Sequence, residues 1–195
     1  MVWKFRKRSC SLIDLKKLVY LISPNKIHDS FYDDLRKVLS VKNTKFFQLR
    51  LKKVKKNKII KIAKEIRKIT RKYKVKLIIN DHINISKITN ADGCHLGQSD
   101  SSVINARKHL KKKIIGITCH NSKSLAKIAI KNKADYLAFG SFNKSKLKPK
   151  AKKADLNILK WAKRNIKKPI IAIGGVNNSN YKKLIKSGAK YIAIS

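Results

Sequence analysis

Two aspartates, each placed just after a short apolar run, could together hold a divalent cation. Asp81 follows Ile78-Ile79-Asn80, and Asp100 closes the stretch Gly93-Cys94-His95-Leu96-Gly97-Gln98-Ser99-Asp100. The chain carries only ten Asp and Glu against fifty Lys and Arg, so carboxylates in such positions are conspicuous. Mg2+ takes hard oxygen donors and commonly combines one or two carboxylates with substrate phosphate oxygens. Either aspartate alone could instead be a helix cap, accepting backbone N–H bonds. With Asn80 and Gln98 beside them, the pair points to a cation shared with a phosphorylated ligand. Gln48, Arg50 and Lys52 offer matching positive charge. Their i, i+2, i+4 spacing puts them on one face of a strand, and Arg can bind two phosphate oxygens at once. Thr118 brings a hydroxyl to the end of another apolar run. Gly174-Gly175, ahead of a helix opened by Asn177 or Asn178, lets backbone N–H groups approach an anion.

These residues meet only if the runs preceding them are parallel strands that end on one side. Candidate strands are Val19–Ile22, Phe46–Leu51, Val75–Ile79, Gly93–Leu96, Ile114–Thr118, Tyr136–Gly140, Pro169–Gly174 and Tyr191–Ile194. Short apolar runs bounded by polar loops are the pattern of buried parallel strands. Between them lie amphipathic segments, such as Ile59, Ile62, Ala63, Ile66 and Ile69 at helical spacing. The turns Asn90-Ala91-Asp92-Gly93, Lys133-Ala134-Asp135-Tyr136 and Gly188-Ala189-Lys190-Tyr191 echo one another. Strands alternating with helices predict an α/β fold, a (β/α)8 TIM barrel. An open doubly wound sheet is the lesser choice, since no GxGxxG turn follows the first strand. One domain is expected over 1–195, with 1–17 as an N-terminal extension or helix. The last apolar run reaches Ile194, so the expectation is a barrel lacking its last C-terminal helix. The segment around Leu12, Ile13 and Leu15, or a partner subunit in a homo-oligomer, is expected to cover the apolar face this leaves.

Composition narrows the function classes. A hydrophobic fraction of 43% with few Gly and Pro suits a globular protein rather than a disordered one. No run approaches the ~20 apolar residues that span a bilayer. The basic start Met1–Arg8 has no apolar segment behind it, so no signal peptide is expected. Cys10, Cys94 and Cys119 are odd in number and without CxxC spacing, the pattern of reduced thiols in a cytoplasmic protein. A net charge of +40 is the footprint of a nucleic-acid binder, and a non-catalytic protein of that kind is the alternative from another class. However, forty-two of the fifty cations are Lys, spread over every predicted helix and turn. They lack the interleaved aromatics on which bases stack. The charge is expected instead to concentrate anionic substrates.

Four segments carry a resemblance, running from about Leu18 to Ser195: Gln48-Leu49-Arg50-Leu51-Lys52, Asn80-Asp81, the stretch from Ala91 to Asp100, and Ile173-Gly174-Gly175-Val176. In this order and at strand ends, they resemble the thiamine phosphate synthase family. The resemblance implies a TIM-barrel transferase acting in thiamine biosynthesis. Its substrates would be 4-amino-2-methyl-5-hydroxymethylpyrimidine diphosphate and thiazole phosphate (or its carboxylate), with pyrophosphate released. It further implies that Gln48, Arg50, Lys52 and Asn80 bind the diphosphate, and that Asp81 and Asp100 ligate Mg2+. Tyr20 and His95 would lie against the pyrimidine ring, and Thr118 would touch the diphosphate. Gly174, Gly175, Ile194 and Ser195 would close the thiazole-phosphate site. One stretch departs from the family's Thr-x-Thr-Lys loop by reading Ser145-Lys146-Leu147-Lys148. Ser145 and Lys148 keep a hydroxyl and a cation, whereas Leu147 cannot donate a hydrogen bond. Arg50, Lys52 and Lys148 are the implied catalytic cations, neutralising the leaving diphosphate. The related thiazole tautomerases share the barrel but move a proton. Retention of Asn80-Asp81 and Gln98-x-Asp100 favours the synthase.

Overall fold

Parallel strands buried on both faces must be apolar at nearly every position, and the short runs along this chain meet that demand. A computed structural model describes residues 18–143 and 153–195. In it the strands close into a barrel in sequence order, β1 through β8. The elements are β1 (Val19–Ile22), α1 (Phe31–Ser40), β2 (Thr44–Leu49), α2 (Lys56–Lys72), β3 (Lys76–Asn80), α3 (Ile83–Ile88), β4 (Gly93–Leu96) and α4 (Val103–Leu110). They continue with β5 (Ile114–His120), α5 (Lys123–Lys131), β6 (Tyr136–Phe139), α6 (Leu156–Asn165), β7 (Ile170–Ala172), α7 (Tyr181–Lys186) and β8 (Tyr191–Ile194). Closure is made by β8 lying parallel to β1, with Leu21 opposite Ile194. The (β/α)8 expectation therefore holds, and β8 is the last described element. The segment 1–17, with Leu12, Ile13, Leu15 and Cys10, lies outside the described residues, as do Ser145, Leu147 and Lys148.

Alternation along each strand sorts side chains between two cores. Tyr20, Phe46, Ile78, Tyr136, Ala138, Ile171, Tyr191 and Ala193 fill the barrel interior. At the alternate positions of β2 and β3, Phe47, Leu49, Leu77 and Ile79 pack outward with Leu35, Leu39, Ile59, Ala63 and Ile66 of α1 and α2. Cys94 and Cys119 belong to the outer core on the opposite side. Burial pushes both thiols up to about 12, so they act as small apolar groups there. No described helix is long and apolar enough to cross a membrane.

The echoing turns have a common cause at the N-terminal rim. Asp92 accepts a hydrogen bond from the Leu77 backbone N–H at 2.8 Å and pairs with Arg67 and Lys76. Asp135 accepts from the Ile115 N–H at 2.8 Å and pairs with Arg107. In each case one carboxylate staples the start of a strand to a helix of the outer ring. At the third echo Lys190 has no carboxylate to offer, and it keeps only the backbone bond that all three turns make, from its N–H to Ile170 O at 2.8 Å.

Strand boundaries differ from expectation mainly at β2. It spans Thr44–Leu49 rather than Phe46–Leu51, because the Arg50 N–H turns to the Ser23 hydroxyl at 2.9 Å. Arg50 and Lys52 therefore lie in the loop beyond the strand, and only Gln48 of the trio is on it. β7 is shorter than expected, since Gly174 and Gly175 leave extended geometry with φ of 88° and 69°. Asp92 is the better buried of the two rim carboxylates, with 12% of its side chain exposed. Breaking a buried ion pair by removing one partner typically costs ~3–5 kcal/mol. Asp92→Ala is expected to lower the urea midpoint accordingly with an unchanged m-value. A midpoint like wild type would show the rim staple to be dispensable.

Candidate active site

The C-terminal ends of β2 through β5 open on one mouth, and the polar residues of the barrel collect there. Gln48, 2% exposed, donates from Nε2 to Asn80 Oδ1 at 3.0 Å. That bond commits the Asn80 carbonyl and leaves its NH2 as the end able to donate to a ligand. Arg50 reaches Asn25 Oδ1 at 3.3 Å through its guanidinium. Asp81 has a left-handed backbone, φ 63°, a conformation that Asp adopts more readily than most residues. Its N–H still bonds His95 O at 2.8 Å, so the turn that ends β3 stays stitched to β4.

Neither aspartate is a helix cap. The N-cap of α3 is His82, without a side-chain bond, and that of α4 is Ser102, whose hydroxyl accepts from Asn105 N–H. Asp100 instead accepts from Gly97 N–H at 2.6 Å. Its carboxyl lies within hydrogen-bonding reach of Asp81. Burial first, then that bond and the Asp100 charge, raise the Asp81 carboxyl to about 6, against the pull of Lys52 and Arg50. A half-buried Asp81 carboxyl beside that of Asp100 places carboxylate oxygens of two side chains together, a donor set that suits a hard divalent cation. Among the described residues no group of three or more His, Cys, Asp or Glu side chains could hold a metal ion. A cation here would complete its shell with water and substrate oxygens, as Mg2+ readily does. The donor set fits Mg2+ on those terms.

Behind the carboxylates, His95 bonds Tyr136 Oη through Nδ1 and Thr118 Oγ1 through Nε2, each at 2.9 Å. Its ring stacks on Tyr136 at 5.6 Å between centroids. Burial, opposed only in part by the charge of Asp100, lowers its pKa to about 4. Tyr20 is enclosed at 2% exposure with its hydroxyl on Tyr136 at 2.7 Å, so it meets His95 only through Tyr136. Sequence reasoning missed Tyr136. The available signal was its inward position on β6, level with a glycine, Gly116, on β5. Gln98 closes this side by donating to Thr118 O at 2.5 Å.

Across the mouth, Gly174 and Gly175 lie against the loop after β6. A Cβ on Gly174 would come within 2.4 Å of Ser141 Oγ, and one on Gly175 within 2.4 Å of Asn143 Cβ. Phe142 and Asn143 both donate their N–H to Gly174 O, at 2.9 and 3.3 Å. Gly175, Val176 and Asn177 line a cleft there with Asn143 and Lys153. The helix that follows begins at Tyr181 with Asn180 as N-cap, not at Asn177 or Asn178. Asn177 spends its side chain on a turn of its own, accepting from Ser179 N–H at 3.0 Å and Asn180 N–H at 3.2 Å. Ile194 is half-buried beside Leu21, and Ser195 is exposed. Ser145 and Lys148, expected to complete this side, lie outside the described residues.

Comparison with known proteins agrees with this arrangement. A family profile described as thiamine monophosphate synthase matches residues 19–195. A thiamine-phosphate synthase from Pelagibacter ubique is 58% identical over 182 residues, 92% of this chain and 87% of the relative. Another, from Erythrobacter litoralis, is 36% identical over 182 residues, 91% of this chain and 85% of the relative. Among solved structures, a thiamine phosphate pyrophosphorylase from Pyrococcus furiosus matches with a TM-score of 0.81 at 28% identity, covering 92% of this chain and 86% of that one. A 3-hexulose-6-phosphate synthase, at TM-score 0.64 and 15% identity over 91% of this chain and 89% of its own, shares the fold alone.

The environment of His95 makes a pH prediction. Its folded pKa of about 4 lies below the ordinary histidine value of 6.5. Between those values the native state binds fewer protons than the unfolded chain, so this residue's contribution to stability is full above pH ~6.5 and declines as pH falls toward ~4. In a proton–carbon NMR titration, the His95 ring resonances, assigned through His95→Gln, should keep neutral-form shifts at pH 5. A midpoint near 6.5 would mean that the ring is hydrated rather than enclosed.

Proposed function

Because the chain belongs to the thiamine monophosphate synthase family, we propose that its barrel mouth joins a pyrimidine diphosphate to a thiazole phosphate, giving thiamine phosphate and pyrophosphate. The observation that most supports this reading is the Asp81–Asp100 pair under the field of Arg50 and Lys52, beside the Gln48–Asn80 amide pair. Anion-binding and cation-binding groups share one opening, a combination that would suit a diphosphate bound together with a divalent cation.

In this mechanism Asn80 donates to the diphosphate through its amide, and Arg50 and Lys52 offset its charge. Asp81 and Asp100 would hold Mg2+, which when bound supplies further positive charge to the diphosphate oxygens. The bond between the pyrimidine methylene carbon and the diphosphate oxygen breaks, and its electron pair leaves with pyrophosphate. The electron-rich aminopyrimidine shares the resulting positive charge, and the thiazole ring nitrogen donates its lone pair to form the new C–N bond. That nitrogen carries no proton, so no general base is needed. Groups already aimed at the departing anion favour this step, because they need no reorganisation as charge develops. His95, held neutral by burial, is suited to hydrogen bonding rather than to supplying charge. Ser145 and Lys148 would add a hydroxyl and a cation from the loop after β6. Gly174, Gly175, Ile194 and Ser195 would receive the thiazole phosphate.

The direct test incubates the purified protein with both substrates and MgCl2 and measures thiamine phosphate and pyrophosphate. Equal amounts of the two products are expected, and none when a chelator is present. Absence of product with the cation saturating would overturn the reading. Asp81→Ala and Asp100→Ala should each lower kcat/KM by about a hundredfold, equivalent to ~3 kcal/mol of transition-state stabilisation. Asp81→Asn should also lose activity while raising the melting temperature of cation-free protein, because it removes one of two mutually repelling carboxylates. Lower stability in that variant would mean that Asp81 serves the fold rather than a cation.

The net charge of +40 predicts a salt effect confined to encounter. Exposed lysines act over a Debye length of ~8 Å at physiological ionic strength, and steering raises the capture rate of anionic substrates. With Mg2+ saturating, kcat/KM should fall across a salt series while kcat stays nearly constant. A flat kcat/KM would deny the charge any kinetic part.

A further inference from the structure

Four polar side chains form one hydrogen-bonded line from the barrel core to its mouth. Tyr20 Oη meets Tyr136 Oη at 2.7 Å, Tyr136 Oη meets His95 Nδ1 at 2.9 Å, and His95 Nε2 meets Thr118 Oγ1 at 2.9 Å. Each link carries one proton, so the line runs in one direction or the other. Tyr20 is its dead end. The ring, 2% exposed, packs against Phe46 and Tyr136, and its hydroxyl meets no other polar group among the described residues.

The dead end decides the direction. Were Nδ1 to carry a proton, Tyr136 would have to accept it and pass its own proton to Tyr20. The Tyr20 O–H would then point into an apolar interior with nothing to receive it. A doubly protonated ring fails for the same reason. Run the other way, the line strands no donor: Tyr20 donates to Tyr136, Tyr136 donates to Nδ1, and Nε2–H donates to Thr118 Oγ1. What is left unfilled is acceptor capacity on Tyr20, which a buried group tolerates better than an unmade donor.

Gly116 makes the line possible. It sits between the two rings in the ladder, opposite His95 on β4 and Tyr136 on β6. A Cβ there would lie 1.8 Å from Tyr136 Cζ and 2.3 Å from its hydroxyl oxygen. With that volume empty, the His95 and Tyr136 rings stack at an interplanar angle of 16°.

We propose that Tyr136, its direction set by Tyr20, is a positioning residue that holds His95 as the Nε2–H tautomer, so that Thr118 keeps its own proton to donate to an acceptor at the mouth. Thr118 thereby meets a ligand as a donor, which favours an anionic oxygen over another N–H or O–H group. The tautomer follows from the hydrogen-bond geometry. That the acceptor is a substrate diphosphate oxygen rests on the proposed function.

Nitrogen-15 NMR of the full chain at neutral pH tests the tautomer without any substrate. The long-range proton–nitrogen pattern of His95 should show a protonated Nε2 and a bare, hydrogen-bonded Nδ1. A proton on Nδ1 would overturn the proposal outright. Tyr136→Phe should move the Nδ1 resonance toward that of a free acceptor, and an unmoved resonance would remove Tyr136 from its role. Steady-state kinetics then test the mouth end. Thr118→Val should raise KM for the pyrimidine diphosphate by about tenfold, as loss of a hydrogen bond to a charged group does, with kcat changed much less. Thr118→Ser should restore KM, because it restores the donor. An unchanged KM in Thr118→Val would overturn the donor role. If wild type made no thiamine phosphate at all, the substrate assignment would fall while the NMR result stood.

Discussion

The near contact of Asp81 and Asp100 is unfavourable in the isolated chain, and much of the surrounding structure exists to impose it. Asp81 adopts a left-handed backbone with φ 63°, and its N–H is tied to His95 O. Asp100 is turned back onto Gly97 N–H. The resulting burial and repulsion raise the Asp81 carboxyl to about 6. A marginally stable domain keeps such an arrangement only where the rest of the fold over-determines it. Here the barrel ladder does so: Asn80 is opposite His95, and His95 is opposite Gly116. The register of β3 against β4 against β5 thus fixes both carboxylates and the polar line behind them.

The same register explains how a barrel interior can be polar at one end and dry at the other. Tyr20, Phe46 and Tyr136 make tilted or edge-on ring contacts at 5.4 to 5.8 Å. These seal the lower layers, while Gln48, Asn80, His95 and Thr118 take the inward positions nearer the mouth. Burial raises the Tyr20 and Tyr136 hydroxyls and lowers the His95 imidazole, so all three favour their neutral forms. Charge is confined to the outermost layer, where Asp81, Asp100, Arg50 and Lys52 interact. Electrostatic work on a bound anion can then be done close to water, without exposing the core.

Most of this was legible in the sequence where a single physical rule governs the residues. The eight apolar runs located all the strands, and β1, β4 and β8 were placed to the residue, because burial on both faces leaves little choice of residue. The end of β2 was not legible, since it depends on the Ser23 hydroxyl of another strand's loop taking the Arg50 N–H. The start of α7 was misread because Asn177, Asn178 and Asn180 are all plausible caps, and only the local turn separates them. Helix ends were obscured for a related reason. The left-handed position after α1, α4 and α5 is filled by Lys42, Lys111 and Lys133, where glycine is the usual marker. Tyr136 escaped notice because its role requires knowing that Gly116 lies beside it.

The scarcity of acidic residues gives the final argument for the mouth. Of the chain's ten, Asp33, Asp34 and Glu65 form exposed i, i+3 pairs, which contribute little to stability. Asp92 and Asp135 staple the N-terminal rim, and Asp155 caps α6 through the Asn157 N–H. Each of these three has a structural partner that accounts for it. Asp81 caps nothing, and its side chain has its nearest ionisable influences in another carboxylate and two cations. In a chain with fifty cations seeking counter-charge, electrostatics alone would scatter acids rather than bring two together. Their convergence raises the energy of the fold, and the proposed function supplies what would offset it: a cation held by Asp81 and Asp100, with an anion facing Arg50 and Lys52.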